Sequence, residues 1–565
     1  MIKFNWQKIK ESILYSFILV GLIFFSISFT KEIYSIQIES GEMYKNKTLS
    51  YRIRTETLYA QRGSIYDRNN KPIAISVNSY DLGVHPYLIK NKVEVSNFLK
   101  NFVEKSEEEI YRIVNSNESF VFIERKLGVD EGRFIEEKIE SFHGLSLIRT
   151  FERRNLIQET NHFIGKVDID GNGIEGVELI FDTDLKGTDG SITYEAAEDG
   201  TRIPQGSLDT IEPQHGGDIT LTIDTDLQFL ASNQCKEAII ETKAERCSFI
   251  LMNADDGEIY ILVEEGESKI LPIKLISVRG LYEPGSAFKI FTVGSILDKG
   301  EITSDTVFTV ADEKEIIDSS CGLLYEGIKG CYKDFLPHEI YDISVKEIIE
   351  RSSNVGTINI LESSNIDAIE NFLEHFGFGY KTGVELSGEQ AGYFSSNKKC
   401  KTCLAALSIG YSVQVTQMQM VKAYAIIANG GFNVEPTLIK MTENDRILPE
   451  RVVNNYLASE LNMLLINVVE GDNGTARSLR TEGVTIGGKT GTSRSYIEGI
   501  GYSESKYNTS FTGFFNTEKG PLVGSIILWN ASTSPHSEYV TGGSTAAPIF
   551  GKIIESVTKK NILNK

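Results

Sequence analysis

Positive charge is in deficit in this chain. Its 57 Lys and Arg face 78 Asp and Glu, a formal net charge of −21 over 565 residues. Such a balance repels polyanions and argues against nucleic-acid binding as the main task. No long acidic block carries the excess, and Glu107-Glu108-Glu109 reads as a solvated helix face. Cysteine is absent before Cys235; the six present are Cys235, Cys247, Cys321, Cys331, Cys400 and Cys403. A second, closely spaced C-x-x-C is missing, which counts against a four-cysteine zinc site. His162 has no metal partner at ligand spacing. No metal and no cofactor is expected.

Long apolar runs are missing too, with one exception. Residues 12–31 carry no acidic residue and no cation until Lys31, and follow the basic stretch 1–11 with Lys3, Lys8 and Lys10. That length crosses a bilayer as a helix. It exceeds a signal-peptide apolar region, and no A-x-A-like cleavage site follows. An uncleaved anchor is expected, its basic N-terminus in the cytoplasm and the remainder outside. In that compartment the cysteines can pair; Cys321–Cys331 and Cys400–Cys403 are the nearest local partners.

The chain centres on Tyr282-Glu283-Pro284-Gly285-Ser286-Ala287-Phe288-Lys289. Apolar residues at helical spacing follow (Phe288, Phe291, Val293, Ile296, Leu297), so Ser286 should lie in the first turn of a buried helix, with Lys289 on the same face. A serine hydroxyl needs a base, and an amine with a depressed pKa can serve. S-x-x-K alone is cheap: Ser28/Lys31, Ser395/Lys398 and Ser503/Lys506 match it as well. Two further stretches change its weight. They are Ser352-Ser353-Asn354, which alone reads as a turn or cap, and Gly488-Lys489-Thr490-Gly491-Thr492. The second also fits a phosphate loop counted from Gly483, but no helical pattern follows the Lys-Thr pair. Val484 and Ile486 alternate instead as in a strand, which would place Lys489 on a sheet face beside small residues that let a ligand backbone come close.

S-x-x-K, S-x-N and K-T-G in this order resemble the penicillin-binding protein and class A β-lactamase set. Further upstream, Arg62-Gly63-Ser64-Ile65-Tyr66-Asp67-Arg68-Asn69-Asn70 resembles the signature of class B penicillin-binding proteins, with Asn70 where the family has glycine. Gly173-Ile174-Glu175-Gly176-Val177-Glu178 matches a second family stretch. Asn155-Leu156 stands where relatives carry an aromatic-proline pair, while Ser412 replaces a glycine and Gln417 a proline. Arg62, Asp67 and Arg68 are expected to form a buried charge network, with Gly63, Glu175 and Glu178 as further structural residues.

The resemblance implies a multidomain α+β protein. Residues 1–11 form a cytoplasmic tail, 12–31 a transmembrane anchor, and 32–212 a β-rich pedestal of the dimerisation type with a helical head. Residues 216–558 form an α/β serine transpeptidase domain, an antiparallel sheet flanked by helices, and 559–565 a tail. Helices are expected over 92–103, 106–114, 129–141 and 227–242, strands over 216–224, 248–253 and 257–263, and a last helix over 546–557. No PASTA-like repeat follows.

It also implies a peptidoglycan D,D-transpeptidase of the bacterial cytoplasmic membrane, acylated by β-lactams. Ser286 would attack the penultimate D-Ala carbonyl of a stem peptide, with Lys289 as general base. Ser352 would relay a proton to the leaving amine, while Asn354 would touch the peptide amide and hold Lys289. Lys489, with the hydroxyls of Thr490 and Thr492 beside Gly491, would hold the substrate carboxylate. The backbone N–H groups of Ser286 and Thr492 would form the oxyanion hole. The stretch Ser353-Asn354-Val355-Gly356 and the short, repeat-free chain look like the septal members, whose partners are a SEDS-type glycan polymerase and divisome membrane proteins. An elongation-type enzyme, a β-lactamase or β-lactam sensor, and a structural divisome component remain as alternatives.

Overall fold

The structure is a computed structural model describing residues 6–197, 202–268, 273–316, 331–363, 367–395, 400–441, 448–497, 499 and 501–559. Cys321, residues 1–5 and residues 560–565 of the tail lie outside them. The chain divides into two compact units. One holds residues 1–61, 78–152 and 187–216, and the other residues 62–77, 153–186 and 217–565.

The first unit begins with a helix, Trp6–Tyr34, a π-helical turn, Ser35–Glu39, and a second helix, Gly41–Arg52. From Lys8 to Glu39 the apolar window has a mean hydropathy of 2.2 and none of it is buried in the protein. Such a bare apolar surface needs lipid around it. An antiparallel sheet follows, with Gly190–Ala196 between Ile53–Leu58 and Arg202–Ile211. The helical head contains Lys92–Leu99, Glu107–Val114 and Val129–Lys138, close to the expected spans. Asn91 caps the first, and Ser106 with Glu109 forms a capping box on the second, a local signal strong enough to read from sequence. Leu82, Val84, Leu99, Ile110, Val114 and Ile135 close the head's core.

The second unit is built on a sheet. In chain order its labelled elements are α1 (Thr225–Thr242), β1 (Arg246–Asn253), β2 (Ile259–Gly266), α2 (Lys289–Leu297), α3 (Val345–Arg351), α4 (Asn354–Glu362) and α5 (Gln417–Ala428). They continue with α6 (Asn455–Glu470), β3 (Ile486–Ile497), β4 (Gly501–Thr517), β5 (Gly520–Ala531) and α7 (Ala546–Lys559). The sheet order is β2-β1-β5-β4-β3, and every neighbouring pair is antiparallel. All eight residues of β1 are buried, as expected of a central strand covered on both faces. Phe550 of α7 meets Phe249 of β1 and Phe511 of β4. Gln417, at the start of α5, donates to Ser248 O and Ser525 O on β1 and β5. The side chain that replaces the family's proline thus ties helix to sheet.

Two expectations need correction. Residues 216–224 do not form a strand throughout: Ile219–Thr220 pairs parallel to Ile65–Tyr66, and Leu221 adds a single antiparallel bridge to Ile439. Asp224 turns away to cap α1, accepting from Asp226 N and Leu227 N. Arg62, Asp67 and Arg68 do not form a single network. Arg62 binds Glu178 and Asp182, both at 2.6 Å, and Glu178 also takes Arg153 at 2.6 Å. Asp67 instead accepts from Asn69 N and Lys71 N in its own turn and from the Thr225 hydroxyl. Arg68 lies over the Tyr260 ring and pairs with Glu258. The physical reason is direction: Asp67 bends back into a turn whose fourth corner, Asn70, sits at φ 61°, the left-handed conformation that Asn tolerates in place of glycine. Gly63 donates to Leu185 O and accepts from Arg153. Glu175 stands apart and pairs with Lys274.

Residues 62–77 and 153–186 fall inside the expected 32–212 segment yet pack with the catalytic unit. Ile65, Ile73, Phe163, Ile164, Val177 and Leu185 belong to its core.

Candidate active site

A four-residue 3₁₀ turn, Gly285–Phe288, precedes α2. Ser286 is therefore one turn ahead of the α-helix proper, and Lys289 is the first α-helical residue. The turn is seated by close backbone approaches. Gly285 has φ +55°, and a Cβ there would lie 2.5 Å from Thr492 O; a Cβ on Gly410 would lie 2.0 Å from Gly285 O. A Cβ on Gly491 would meet Pro284 O at 2.6 Å. The small residues of the K-T-G strand thus admit the serine turn itself. Behind it, Phe288, Phe291, Phe376, Phe378 and Tyr424 interlock at ring separations of 4.9–5.6 Å, and the Tyr424 hydroxyl donates to Ala287 O.

Lys289 is wholly buried. Its Nζ donates to Ser352 O at 2.5 Å and Asn354 Oδ1 at 2.7 Å, with Ser352 Oγ at 3.4 Å. Burial pushes its pKa down to about 7, with the Asp334 carboxylate acting in the opposite direction. A neutral amine has two hydrogens and one lone pair. With two fixed acceptors taking the hydrogens, the lone pair is left for an incoming proton. Ser286 is half-buried, and among the described residues its hydroxyl has no hydrogen-bond partner.

Ser352 caps α3 at φ 61°, ψ 37°, a strained conformation for a residue with a Cβ and of the kind found at functional sites. It turns the carbonyl toward Lys289. Asn354 opens α4, and its Nδ2 donates to Lys333 O at 2.6 Å, which fixes the amide so that Oδ1 faces the lysine. Ser353, the N-cap of α4, accepts from Gly356 N at 2.8 Å.

Lys489 lies on β3 rather than at a helix start and is also wholly buried. Burial, and then the neighbouring Lys289, drive its pKa well down. Its Nζ approaches Thr490 O at 3.3 Å and Thr490 Oγ1 at 3.5 Å. Thr490 Oγ1 is 2.9 Å from Thr475 Oγ1, and Thr492 Oγ1 accepts from Gly542 N at 3.0 Å.

All eight sequence-identified site residues therefore occupy one unit, on the 3₁₀ turn before α2, the start of α2, the α3–α4 junction and β3. Sequence reasoning missed Thr475, Gly542, Asp334 and Glu283. Glu283 accepts from Ser412 N and from the Tyr502 hydroxyl, bonds that oppose the upward push of burial on its pKa. The first three belong to no short motif and meet the site only through the fold; Glu283 lies in the serine stretch itself, but its partners Ser412 and Tyr502 reach it only through the fold.

The cysteines partly follow expectation. Cys400–Cys403 is bonded, and Cys235–Cys247 forms a bridge between α1 and β1 that sequence spacing did not suggest.

The fold and this geometry agree with what the chain is similar to. The penicillin binding protein transpeptidase domain matches residues 247–555, and the penicillin-binding protein dimerisation domain matches residues 57–221. Stage V sporulation protein D of Bacillus subtilis is 26% identical over 564 residues, covering 95% of this chain and 84% of the relative. Peptidoglycan D,D-transpeptidase FtsI of Buchnera aphidicola is 28% identical, covering 99% and 97%. Among solved structures, penicillin binding protein 3 of Mycobacterium tuberculosis with aztreonam superposes with a TM-score of 0.65 at 23% identity, covering 90% of this chain and 98% of that one. A peptidoglycan synthetase from Bifidobacterium adolescentis gives 0.68 at 22%, covering 90% and 97%. The chain belongs to the penicillin-binding protein transpeptidase family, in the class B arrangement of a dimerisation domain followed by a transpeptidase domain.

Proposed function

We propose that this chain cross-links peptidoglycan through an acyl-enzyme on Ser286 and is acylated covalently there by β-lactams. The observation that carries the reading is the wholly buried amine of Lys289, held by Ser352 O and Asn354 Oδ1 one turn after a free serine hydroxyl. Lys289 takes the Ser286 proton as Oγ attacks the penultimate D-Ala carbonyl of a stem peptide. The tetrahedral oxyanion receives the N–H groups of Ser286 and Thr492. The proton passes by way of Ser352 to the leaving D-Ala nitrogen. An amine of a second stem peptide then attacks the acyl carbonyl, and Ser286 Oγ leaves with a proton.

Lys489, Thr490 and Thr492 receive the substrate carboxylate. Two buried amines side by side disfavour two charges; an arriving carboxylate restores the balance and lets Lys489 hold its proton. Asn354 already spends Nδ2 on Lys333 O and Oδ1 on Lys289, so its role is to hold the base, with one Oδ1 lone pair left for a substrate N–H.

The long apolar N-terminal helix and its basic flank support a chain anchored in the cytoplasmic membrane, with residues 1–11 inside and the transpeptidase domain outside. Residues 12–31 serve as the anchor, 32–212 as the pedestal and 216–558 as the catalytic domain. Ser353-Asn354-Val355-Gly356 supports a septal role, with a SEDS-type glycan polymerase and divisome membrane proteins as partners.

The test is exchange on a synthetic pentapeptide ending in D-Ala-D-Ala, with labelled D-amino acid as acceptor. The wild type releases D-Ala and incorporates the label, and Ser286→Ala does neither. Release without incorporation would point to a hydrolase. A fluorescent fusion confined to the division site, rather than spread along the wall, supports the septal role.

A further inference from the structure

We propose that Asp334 is a positioning residue for acylation, clamping the Ser353–Val355 segment and acting as the counter-charge of the catalytic lysine, a charge that His338 offsets. The inference rests on the acyl-enzyme reading above and deepens it.

Asp334 follows the strand Cys331–Lys333 and keeps only 7% of its side chain exposed. Its Oδ1 accepts from Asn354 N at 2.5 Å and Val355 N at 3.1 Å. Those are first-turn donors of α4, which have no acceptor within their own helix. Its Oδ2 accepts from the Ser353 hydroxyl at 2.7 Å and faces His338 Nε2 at 3.1 Å. The residue before it supplies Lys333 O to Asn354 Nδ2. The pair Lys333-Asp334 therefore fixes both the backbone and the amide of Asn354, and through Asn354 Oδ1 the place of the Lys289 amine.

The same carboxylate is the charge that favours a proton on Lys289, against burial. Other charged groups face this corner. Lys489 is the neighbouring cation of Lys289. His338 stacks on Tyr341 at 4.2 Å, and Arg351 lies over the same Tyr341 ring at 5.4 Å. Lys333 pairs with Glu313 at 2.7 Å, and Glu347 is engaged in the capping box of α3. The His338 ring nitrogens face Asp334 Oδ2 and Glu339 O. Both face the ring as acceptors, so a ring that donates to both at once carries a positive charge. His338 then weakens the field of Asp334 on Lys289, and the two groups act on the base with opposite sign.

That opposition is a readout a purely structural role does not produce. The full-length, detergent-solubilised protein is acylated with benzylpenicillin from pH 5 to 9, and the second-order rate is followed for the wild type, Asp334→Asn and His338→Gln. Loss of the carboxylate moves the rising limb to lower pH by about one unit. It also lowers the plateau by roughly 10²-fold as Asn354 loosens. Loss of the His338 charge moves the limb to higher pH with the plateau within about threefold of wild type. Limbs unmoved in both variants overturn the inference. If Asp334→Asn fails to fold, His338→Gln decides alone, a limb at higher pH supporting the proposal and an unmoved one overturning it. A wild type that takes no penicillin overturns the acyl-enzyme reading and this inference with it, whereas acylation with immobile limbs overturns the inference only.

Discussion

The Lys289 amine stands 2.7 Å from Asn354 Oδ1 inside a site where the lysine has no exposed surface. Replacing that amide oxygen by a carboxylate changes little in shape and much in charge. Asn354→Asp raises the lysine pKa from about 7. Acylation at pH 7 then slows by roughly tenfold or more, and its rise with pH moves upward. A stopped-flow pH series with a chromogenic β-lactam checks this. The wild type loses acylation as pH falls through about 7, because only the neutral amine accepts the proton.

The same group makes stability pH-dependent. Lys289 is depressed from 10.5 to about 7 on folding, so between those values the unfolded chain binds the extra proton. Stability therefore rises with pH across that window. Thermal melts at pH 7 and 9 should show the higher midpoint at pH 9, and Lys289→Met should reduce the difference, the remainder coming from Lys489, which burial shifts in the same direction.

Ser352 separates backbone geometry from chemistry. At φ 61° a glycine is at least as comfortable, so Ser352→Gly keeps its carbonyl toward Lys289. It should be as stable as wild type or more so, by up to about 1 kcal/mol. Without its hydroxyl, D-Ala release falls by roughly 10²-fold or more. A melt beside the pentapeptide exchange assay separates the two effects.

Gly410 supports the nucleophile without touching substrate. An alanine there would put Cβ 2.0 Å from Gly285 O at a backbone φ of +83°. Gly410→Ala should cost about 2 kcal/mol or more and slow acylation by roughly 10²-fold as the serine turn shifts. Denaturant melts and acylation rates report the two losses.

The sequence pointed to the residues that gather at the candidate site more clearly than to those that support them. Ser286, Lys289, Ser352, Asn354 and Lys489 were legible because each lies in a short motif whose residue types have few other uses in that order. Helix starts at Ser106 and the α1 region were legible because capping and apolar spacing are local. Asp334 and Thr475 were not, since each meets the site only where the chain folds back on it; Glu283 stands in the serine stretch, but its bond to Tyr502 was hidden because β4 must first return beside β3. The charge network was misread for a related reason. Three charges in seven residues look like partners, but a turn at Asn70 sends Asp67 toward Thr225 and leaves Arg62 to Glu178. Cys235–Cys247 was hidden because it needs α1 laid on β1.

The central claim is that Ser286 forms the covalent intermediate. Labelling of the detergent-solubilised protein with fluorescent penicillin, wild type beside Ser286→Ala, followed through a chase, tests it most directly. A stable adduct on the wild type and none on the variant is the predicted result. An adduct lost within seconds would indicate a β-lactamase, and no adduct on the wild type, or an equal one on Ser286→Ala, would contradict the account.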